Sequence, residues 1–412
     1  MSDAPAPRPT VKLRPGKGRR LSEGAPWAYA DEIAMDRRTR ALTSGSVVRR
    51  EDRDGPLGAF ALNSESQIAA RFLDADPDVE IGAGWFADRL RRAIRLRQVA
   101  LGAEAAFCRL VHAEGDGLPG LVLDRYGPAI VIQPNAAWLE PRLPTLIAGL
   151  DTALSETGAP PAQAIVVNAQ SRVRKLEGLE TRLEVVRGTV SAPVPVEMNG
   201  ATYLADLHAG QKTGLFYDQR ENHAMAARIA AALGPDARIL DVFSHVGGFG
   251  LACLAAAPDA RVTAIDSSEP ALALARTAAN LRGLAERYDT RRADAFDAMA
   301  QAAAAQERYG LVICDPPTFA PAKPALEAGL RAYERTARRA AGLVTPEGWL
   351  MLCSCSGAVS AEAFRSACAA GIRKAGRYAA LVRSGRAGPD HPQHPALPET
   401  GYLKALLFRL AP

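Results

Sequence analysis

Hydrophobic and polar positions follow different patterns along the chain, and the changes of pattern divide it into regions. Up to about residue 83, short apolar runs such as 46–48 and 59–62 lie between Gly, Asp and Pro turns, which predicts a small β-rich module. From 84 to 101, apolar residues recur at helical spacing among arginines, which predicts an amphipathic connecting helix. Further α+β structure is expected to about residue 187, and the proline-rich stretch 192–195 marks the next boundary.

Beyond that boundary, apolar runs of strand length alternate with helical patterns. Strands are predicted at 238–243, 261–266, 311–314 and 349–353, with helices at 249–257, 269–281 and 329–341. This alternation predicts an α/β fold with a doubly wound parallel sheet. The expected domains are therefore a β-rich module over 1–83, an α+β domain over 84–191 and the parallel-sheet domain over 192–412.

Length and composition fit this division. A chain of 412 residues exceeds the size of a single core, and 48% hydrophobic with 23% charged residues is ordinary for a globular protein. The net charge of +5 is compatible with nucleic acid but does not by itself indicate it. No apolar run suits a signal peptide or a membrane span, so a soluble cytoplasmic protein without a membrane partner is expected. The six cysteines include no CxxC pair and there is no zinc-type His cluster, which predicts reduced thiols and no metal.

Two segments forty residues apart carry the candidate chemistry. Asp315 and Cys355 each follow an apolar run, and the two runs are predicted to be adjacent parallel strands whose carboxyl ends meet at one ligand crevice. A cysteine thiolate is suited to reversible addition at C6 of cytosine, which makes C5 nucleophilic. We predict Cys355 as the nucleophile and Cys353 as a residue packed in the sheet; the alternative is that Cys355 is also a small buried hydrophobic residue.

Asp315 could stabilise the protonated N3 or bind the N4 amine of that cytosine, or it could be a buried structural acid. Pro316 and Pro317 stiffen the backbone after it and help to place Phe319 around an extruded base. The acceptor of the C5 proton is not identifiable from sequence: Asp315, another carboxylate or water could serve.

A series of acidic residues at strand ends predicts the cofactor site. Asp241 precedes a glycine-rich turn containing Phe243, Ser244 and Gly247, which either approaches a ligand or is kept for packing. The turn is not GxGxxG, and acids at successive strand ends suit S-adenosylmethionine better than a nicotinamide cofactor. The later acids and their neighbours complete the predicted set: Asp266 with Ser267, and Asp294 with Ala295.

With these residues in view, the chain resembles the bacterial PUA-domain 23S rRNA 5-methylcytosine methyltransferases of the large-subunit methyltransferase I type, over nearly its whole length. The resemblance implies an N-terminal PUA module, a central α+β domain, a Rossmann-like class I methyltransferase domain, rRNA as partner and a homodimer. It also places Cys355 on the nucleophile of the family. The motifs that carry it are AEGDGLPG (113–120) with DRY (124–126), RKLEG (174–178), HAGQKTGLFYDQR (208–220), FSHVGGF (243–249), DPPTF (315–319), SCSG (354–357), DHP (390–392) and GYLK (401–404).

Several assignments keep alternatives. Asp218, Gln219 and Arg220 either close over the cofactor or form a helix cap with a salt bridge. His245-Val246 stands where the family usually has Tyr-Thr, and Thr318 where relatives often have Lys. The basic stretch with nearby aromatics is either an RNA surface or a solvated arm; its cations are Lys12, Arg14, Arg19 and Arg20.

The function hypothesis is methylation of cytosine C5 in large-subunit rRNA through a cysteine adduct. Its alternatives are a guanine-nitrogen or small-molecule methyltransferase with a structural Cys355, and a non-catalytic RNA-binding ribosome-assembly factor. Related guanine N7 enzymes carry Asn-rich residues where Ser354, Cys355 and Ser356 stand here. A dehydrogenase lacks its glycine fingerprint.

Overall fold

The N-terminal module is a five-stranded sheet. The computed structural model describes residues 8–52, 55–190, 193–208 and 215–411. Because residues 209–214 of the HAGQKTGLFYDQR motif and residues 191–192 of the predicted boundary fall in the gaps, those predictions lie outside the described residues. The strand order is β1-β3-β4-β5-β2 around a small apolar core. The elements are β1 (Thr10–Lys12), α1 (Arg19–Ser22), β2 (Trp27–Ala28), α2 (Arg37–Arg40), β3 (Ser46–Asp52), β4 (Gly55–Leu62) and β5 (Ala70–Asp74).

The connecting helix and the central α+β region follow as predicted by the patterns. Buried Trp85, Phe86, Leu90 and Ile94 recur at helical spacing and pack on a second five-stranded sheet, of order β10-β9-β8-β7-β6. The elements are α3 (Ala83–Leu101), β6 (Phe107–His112), β7 (Leu121–Tyr126), β8 (Ala129–Pro134), α4 (Leu143–Glu156), β9 (Ala164–Ala169), α5 (Val173–Leu176) and β10 (Arg182–Arg187).

Buried ion pairs tie the β-rich module to the central region. Arg71 of β5 contacts Glu114 at 3.2 Å and Glu177 at 2.8 Å, and the Trp27 indole donates to Glu114 at 2.8 Å. Breaking one partner of such a pair would leave a buried charge uncompensated. The described residues to Val190, with His208 and 389–400, therefore form one compact unit.

The described residues of 193–207, 215–388 and 401–411 form a second unit. Its seven-stranded sheet has the order β15-β14-β13-β16-β17-β19-β18, parallel except for the pairs that β19 makes. A small hairpin precedes the sheet. The elements are β11 (Val194–Met198), β12 (Ala201–Ala205), α6 (Arg220–Ala232), β13 (Arg238–Val242), α7 (Gly248–Ala256), β14 (Arg261–Asp266), α8 (Glu269–Leu281), β15 (Tyr288–Arg292), α9 (Ala295–Ala304), β16 (Tyr309–Cys314), α10 (Leu326–Ala341), β17 (Val344–Ser354), α11 (Ala361–Lys374), β18 (Tyr378–Gly385) and β19 (Lys404–Ala411).

The strand order determines where a ligand can bind. The chain runs from β13 to β14 and β15 on one side and then returns to β16 and β17 on the other. In such a sheet the crevice lies at the carboxyl ends of the strands on either side of this reversal. β16 pairs with β17 in parallel, with Cys314 opposite Leu352. The predicted adjacency of the two strands that precede Asp315 and Cys355 is therefore observed.

No helix of the described residues is both long and apolar enough to cross a bilayer. Within the same residues there is no group of three or more His, Cys, Asp or Glu side chains arranged to hold a metal ion. The proposed boundaries near residues 83 and 191 stay predictions.

Candidate active site

Asp241 is the penultimate residue of β13 and is almost fully buried. One carboxylate oxygen accepts a hydrogen bond from the Gly250 amide at 2.9 Å, and Oδ1 has no hydrogen-bond partner among the described residues. Burial raises the pKa of Asp241 to about 7, against the opposing effect of the Gly250 bond; the charge of Asp266 also raises it. A buried acid with a vacant acceptor is suited to a cationic or hydroxyl-bearing ligand.

The turn after β13 is bent through left-handed backbone conformations. Phe243 and His245 have φ of 63° and 49°, although neither is glycine, and Gly247 has φ of 84°. Such backbone costs about 1–3 kcal/mol per residue and is concentrated at ligand sites. A Cβ on Gly247 would lie 2.5 Å from the Tyr288 hydroxyl, so this glycine is also required for packing. Both alternatives for the turn, ligand approach and packing, therefore have structural support.

Asp266, at the end of β14, fixes this turn. Its Oδ2 accepts from the His245 amide at 2.9 Å and its Oδ1 from the Ser268 amide at 2.8 Å, with Ser267 exposed between them. Each carboxylate oxygen retains a lone pair for a further donor such as a ribose hydroxyl. Asp294, by contrast, caps α9 by accepting from the amide of Phe296 at 2.8 Å.

The residues of this half-site fit S-adenosylmethionine. The buried Ser244 hydroxyl, like Asp241 Oδ1, has no hydrogen-bond partner among the residues the structure describes, and a bound cofactor could satisfy both. Arg220 begins α6 with Gln219 at the N-cap position, and no described side chain caps that helix. Ala295 is buried at the start of α9. The role of each residue in cofactor binding stays a prediction.

Three aromatic rings join the cofactor half-site to the segment after β16. The centroid of Phe243 lies 6.5 Å from that of Phe296 and 6.3 Å from that of Phe319, which places the turn after β13, the start of α9 and the DPPTF segment in contact. Pro316 is buried and Pro317 exposed, so the segment turns out of the sheet directly after Asp315. The two predicted half-sites are therefore continuous.

Cys355 follows β17 and is half-buried, whereas Cys353 and Cys314 are inside the core. Its Sγ lies 3.1 Å from the hydroxyl of Thr318, and either atom can be the donor. Burial raises the pKa of the Cys355 thiol; the Thr318 hydrogen bond opposes this shift, and the negative charge of Asp315 adds to it. The structure thus brings the two predicted catalytic residues into one electrostatic environment.

A hydroxyl network holds the residues on either side of Cys355. The Ser354 hydroxyl donates to the hydroxyl of Tyr333 at 2.8 Å, and the Ser356 hydroxyl lies 2.7 Å from the same oxygen. Lys404 of β19 donates to the Ser356 carbonyl at 2.6 Å. Because the network is buried and drawn from three elements, it can fix the direction of the Cys355 thiol.

Sequence reasoning missed Thr318, Tyr333 and Lys404 as parts of this site. In the sequence, Thr318 is only a departure from the family pattern. Its hydroxyl contact with Cys355 depends on how the segment after β16 folds back. Lys404 stood in a recognised motif without a role. For Tyr333 no local signal exists, because a tyrosine on an amphipathic helix is usually a core residue.

The predicted RNA-binding cations lie in the other unit and partly pair with acids. Lys12 is 3.7 Å from Glu51, and Arg19 is 2.8 Å from Glu23. The Arg14 guanidinium donates to a backbone carbonyl, and that of Arg20 lies over the ring of Tyr29 at 5.2 Å. Exposed pairs of this kind contribute about 0–1 kcal/mol and could exchange for phosphate. An RNA surface here stays a prediction.

Comparison with known proteins assigns two regions of the chain to families. Residues 142–409 match the S-adenosylmethionine-dependent methyltransferase family, and residues 11–75 match a PUA-like domain. Because the first match covers more than half of the chain, the chain is an S-adenosylmethionine-dependent methyltransferase.

More specific matches come from relatives that align over nearly the full length. Ribosomal RNA large subunit methyltransferase I of Shewanella denitrificans is 33% identical, covering 97% of this chain and 99% of the relative. That of Klebsiella pneumoniae is 31% identical, with 100% of both chains covered. The chain belongs to the ribosomal RNA large subunit methyltransferase I family.

Solved structures show the same fold. A candidate S-adenosylmethionine-dependent methyltransferase from Streptococcus mutans has a TM-score of 0.78 at 17% identity, covering 97% of this chain and 100% of that one. A second methyltransferase, solved in complex with SAH, has a TM-score of 0.79 at 17% identity, covering 98% and 100%. The predicted family, fold class and cofactor are therefore confirmed.

Asp241 gives a prediction on stability. Because its pKa is raised from 3.8 to about 7 in the folded protein, ionisation opposes folding. This penalty is absent below about pH 4, grows between pH 4 and 7, and is complete above pH 7. We expect Asp241→Asn to raise the melting temperature of the cofactor-free protein by a few degrees at pH 8, with a difference that shrinks towards pH 4.

The measurement is calorimetric melting across that pH range. Asp289→Asn, which changes an exposed acid on β15, is the matched control and should leave the pH profile unchanged. A melting temperature at pH 8 that is lower for Asp241→Asn than for the wild type would contradict this account of Asp241.

Proposed function

We propose that this protein methylates C5 of a cytosine in 23S rRNA through a covalent adduct on Cys355. The observation that carries the proposal is the half-buried thiol of Cys355 directly after β17. It is hydrogen-bonded to Thr318, and burial and the negative charge of Asp315 raise its pKa. The residues predicted to bind the cofactor lie at the carboxyl ends of β13 and β14 in the same sheet. This arrangement allows a thiol and a methyl donor to act on one base.

The first step is addition of the Cys355 sulfur to C6, which forms an S–C6 bond and moves the C5–C6 π electrons onto C5. Since the pKa of the thiol is raised, the resting group is protonated, and its proton passes to solvent water at the half-buried sulfur as the cytosine binds. The Thr318 hydroxyl can accept the thiol hydrogen bond at rest and donate to the thiolate as it forms.

Asp315 is suited to the charge that develops on the base. Its position after β16, with its amide donating to Val242 of the neighbouring strand at 3.3 Å, fixes it at the mouth of the crevice. A carboxyl group there can stabilise a protonated N3 or accept from the N4 amine. Phe319, which is partly buried beside Phe243, can pack against the extruded base. When bound, S-adenosylmethionine supplies an electrophilic methyl group on a sulfonium centre.

The partner follows from the family and the N-terminal module. Relatives of the same length are named for large-subunit rRNA, and the PUA-like match covers the stretch with Lys12, Arg14, Arg19 and Arg20. A single unstacked base is the usual target of sequence-specific RNA recognition, and phosphate contacts make binding weaker with salt. We infer in addition that the protein is cytoplasmic, because its proposed rRNA substrate is there. We also infer that it acts as a homodimer.

Trapping with a fluorinated substrate tests the proposal. The protein, S-adenosylmethionine and a 23S rRNA fragment containing 5-fluorocytosine should give an adduct that survives denaturing electrophoresis, because fluorine at C5 blocks release. Peptide mapping is expected to place the RNA on Cys355. Methyl transfer to ordinary RNA without any adduct would instead favour methylation of a guanine nitrogen, with Cys355 structural.

A further inference from the structure

Asp218 is a buried acid to which the reaction steps above give no role. It lies in the single turn before α6, and only 8% of it is exposed. Its Oδ2 accepts a hydrogen bond from the Tyr402 hydroxyl at 2.6 Å, whereas Oδ1 has no hydrogen-bond partner among the described residues. Burying a carboxylate with an unsatisfied oxygen costs free energy unless a bound ligand supplies a partner for that oxygen.

Strand pairing links Asp218 to the region of the predicted nucleophile, Cys355. β19 runs antiparallel to β17 with Lys404 opposite Ser354, so the residues before Lys404 continue past the turn that holds Cys355. Lys404 donates to the Ser356 carbonyl at 2.6 Å, and Tyr402 comes two residues earlier. Because the Tyr402 hydroxyl donates to Asp218, this carboxylate is bonded to the segment that leads into the strand paired with β17.

Electrostatics agree with that placement. After burial and Asp315, Asp218 is among the groups that raise the pKa of the Cys355 thiol. The neighbouring Gln219 lowers the pKa of the Cys353 thiol, against the larger effect of burial. Two consecutive residues before α6 thus each affect the pKa of one thiol, Gln219 that of Cys353 within β17 and Asp218 that of Cys355 directly after it. The carboxylate of Asp218 thus interacts electrostatically with the Cys355 sulfur.

We propose that Asp218 is the catalytic base that removes the C5 proton after methyl transfer, an inference that rests on the proposed function. In this step the C5–H bond breaks and the proton goes to Asp218 Oδ1. The electron pair forms the C5–C6 double bond, the C6–S bond breaks, and the Cys355 thiolate leaves. The Tyr402 hydrogen bond holds the carboxylate in place while it accepts the proton.

Stereochemistry favours a base on this side. Addition of the sulfur to one face of the ring and of the methyl group to the other leaves the C5 hydrogen on the face of the sulfur. An acceptor must then lie on the side of Cys355, the residue with which Asp218 interacts electrostatically. Asp315 is already committed to N3 or N4, on the far edge of the ring from C6, under the proposed function.

The test separates release from adduct formation, because 5-fluorocytosine reaches the adduct without needing the base. We expect Asp218→Asn to form the 5-fluorocytosine adduct at close to the wild-type rate. With ordinary RNA carrying tritium at C5, the variant should release tritium about 100-fold more slowly or worse, and a methylated protein–RNA adduct should accumulate on denaturing gels. Glu221→Gln, on the first turn of α6, is the matched control and should behave as wild type.

Two results would overturn the inference while leaving the proposed function intact. One is wild-type tritium release by Asp218→Asn; the other is an equal loss of adduct formation and tritium release, which would place Asp218 before the adduct. Failure of the wild-type protein itself to form any adduct would overturn the proposed function, and the inference with it. Calorimetric binding of S-adenosylmethionine to Asp218→Asn confirms that the variant is folded.

Discussion

Replacing Cys355 by serine is expected to abolish methylation of cytosine, with a loss of turnover of about 10⁴-fold or more, as for other enzymes that lose their nucleophile. A serine hydroxyl has nearly the size of the thiol and can keep the contact with Thr318, so the fold should be retained. What it loses is the capacity to form an anion that adds to C6 near neutral pH. The measurement is transfer of labelled methyl from S-adenosylmethionine to a 23S rRNA fragment.

Cys353→Ala is the matched control. Cys353 lies two residues earlier on the same strand but is buried in the sheet, with a pKa raised far above its usual value by burial. Its replacement should cost stability through a small cavity, about 1 kcal/mol, and leave turnover within a few-fold of wild type. Full turnover by the Cys355→Ser variant would show that the thiol is structural, and nitrogen methylation would then become the better account.

Replacing Asp266 by alanine is expected to weaken binding of S-adenosylmethionine by about 100-fold. The carboxylate fixes the turn after β13 through the His245 amide at 2.9 Å and the start of α8 through the Ser268 amide at 2.8 Å. The same carboxylate has lone pairs left to accept hydrogen bonds from the two ribose hydroxyls of the cofactor. Losing two charge-assisted hydrogen bonds to the ligand costs about 3 kcal/mol, which corresponds to about two orders of magnitude in the dissociation constant. Isothermal titration calorimetry with the cofactor measures this change directly.

An exposed acid on the next strand provides the comparison for that experiment. Asp289 of β15 contacts Arg291 at 3.3 Å on the surface, so Asp289→Ala should leave cofactor affinity unchanged. If Asp266→Ala bound S-adenosylmethionine as tightly as wild type, the ligand would have to be held elsewhere than at the end of β14. Equal weakening by both variants would indicate a general effect of charge.

Much of the architecture could be predicted because it depends on residues close together in sequence. The strand 261–266 and the helix 269–281 were predicted with the bounds that the structure has, since a buried parallel strand is a short apolar run and its helix a 3.6-residue repeat. The positions of Asp241, Asp266 and Asp315 at strand ends follow from the same runs. The motifs then identified the family, and the comparisons confirm it.

The details of the candidate site could not be predicted in the same way. Thr318 meets Cys355 only because the segment after β16 folds back over β17, and Tyr333 reaches Ser354 and Ser356 from a helix that packs on the sheet. Asp218 and Tyr402 are 184 residues apart. No local pattern specifies such contacts, since many partners are compatible with one apolar or polar position.

By itself, then, the sequence determined the alternation of strands and helices, the acids at the strand ends, the thiol after β17 and the family. Periodic burial and turn chemistry are local properties, and each leaves a pattern that can be recognised along the chain. Only the tertiary structure decided that β19 runs back along β17, which brings Lys404 to the Cys355 turn and Tyr402 to Asp218. The physical reason is that strand order and side-chain packing depend on the burial of many distant surfaces at once.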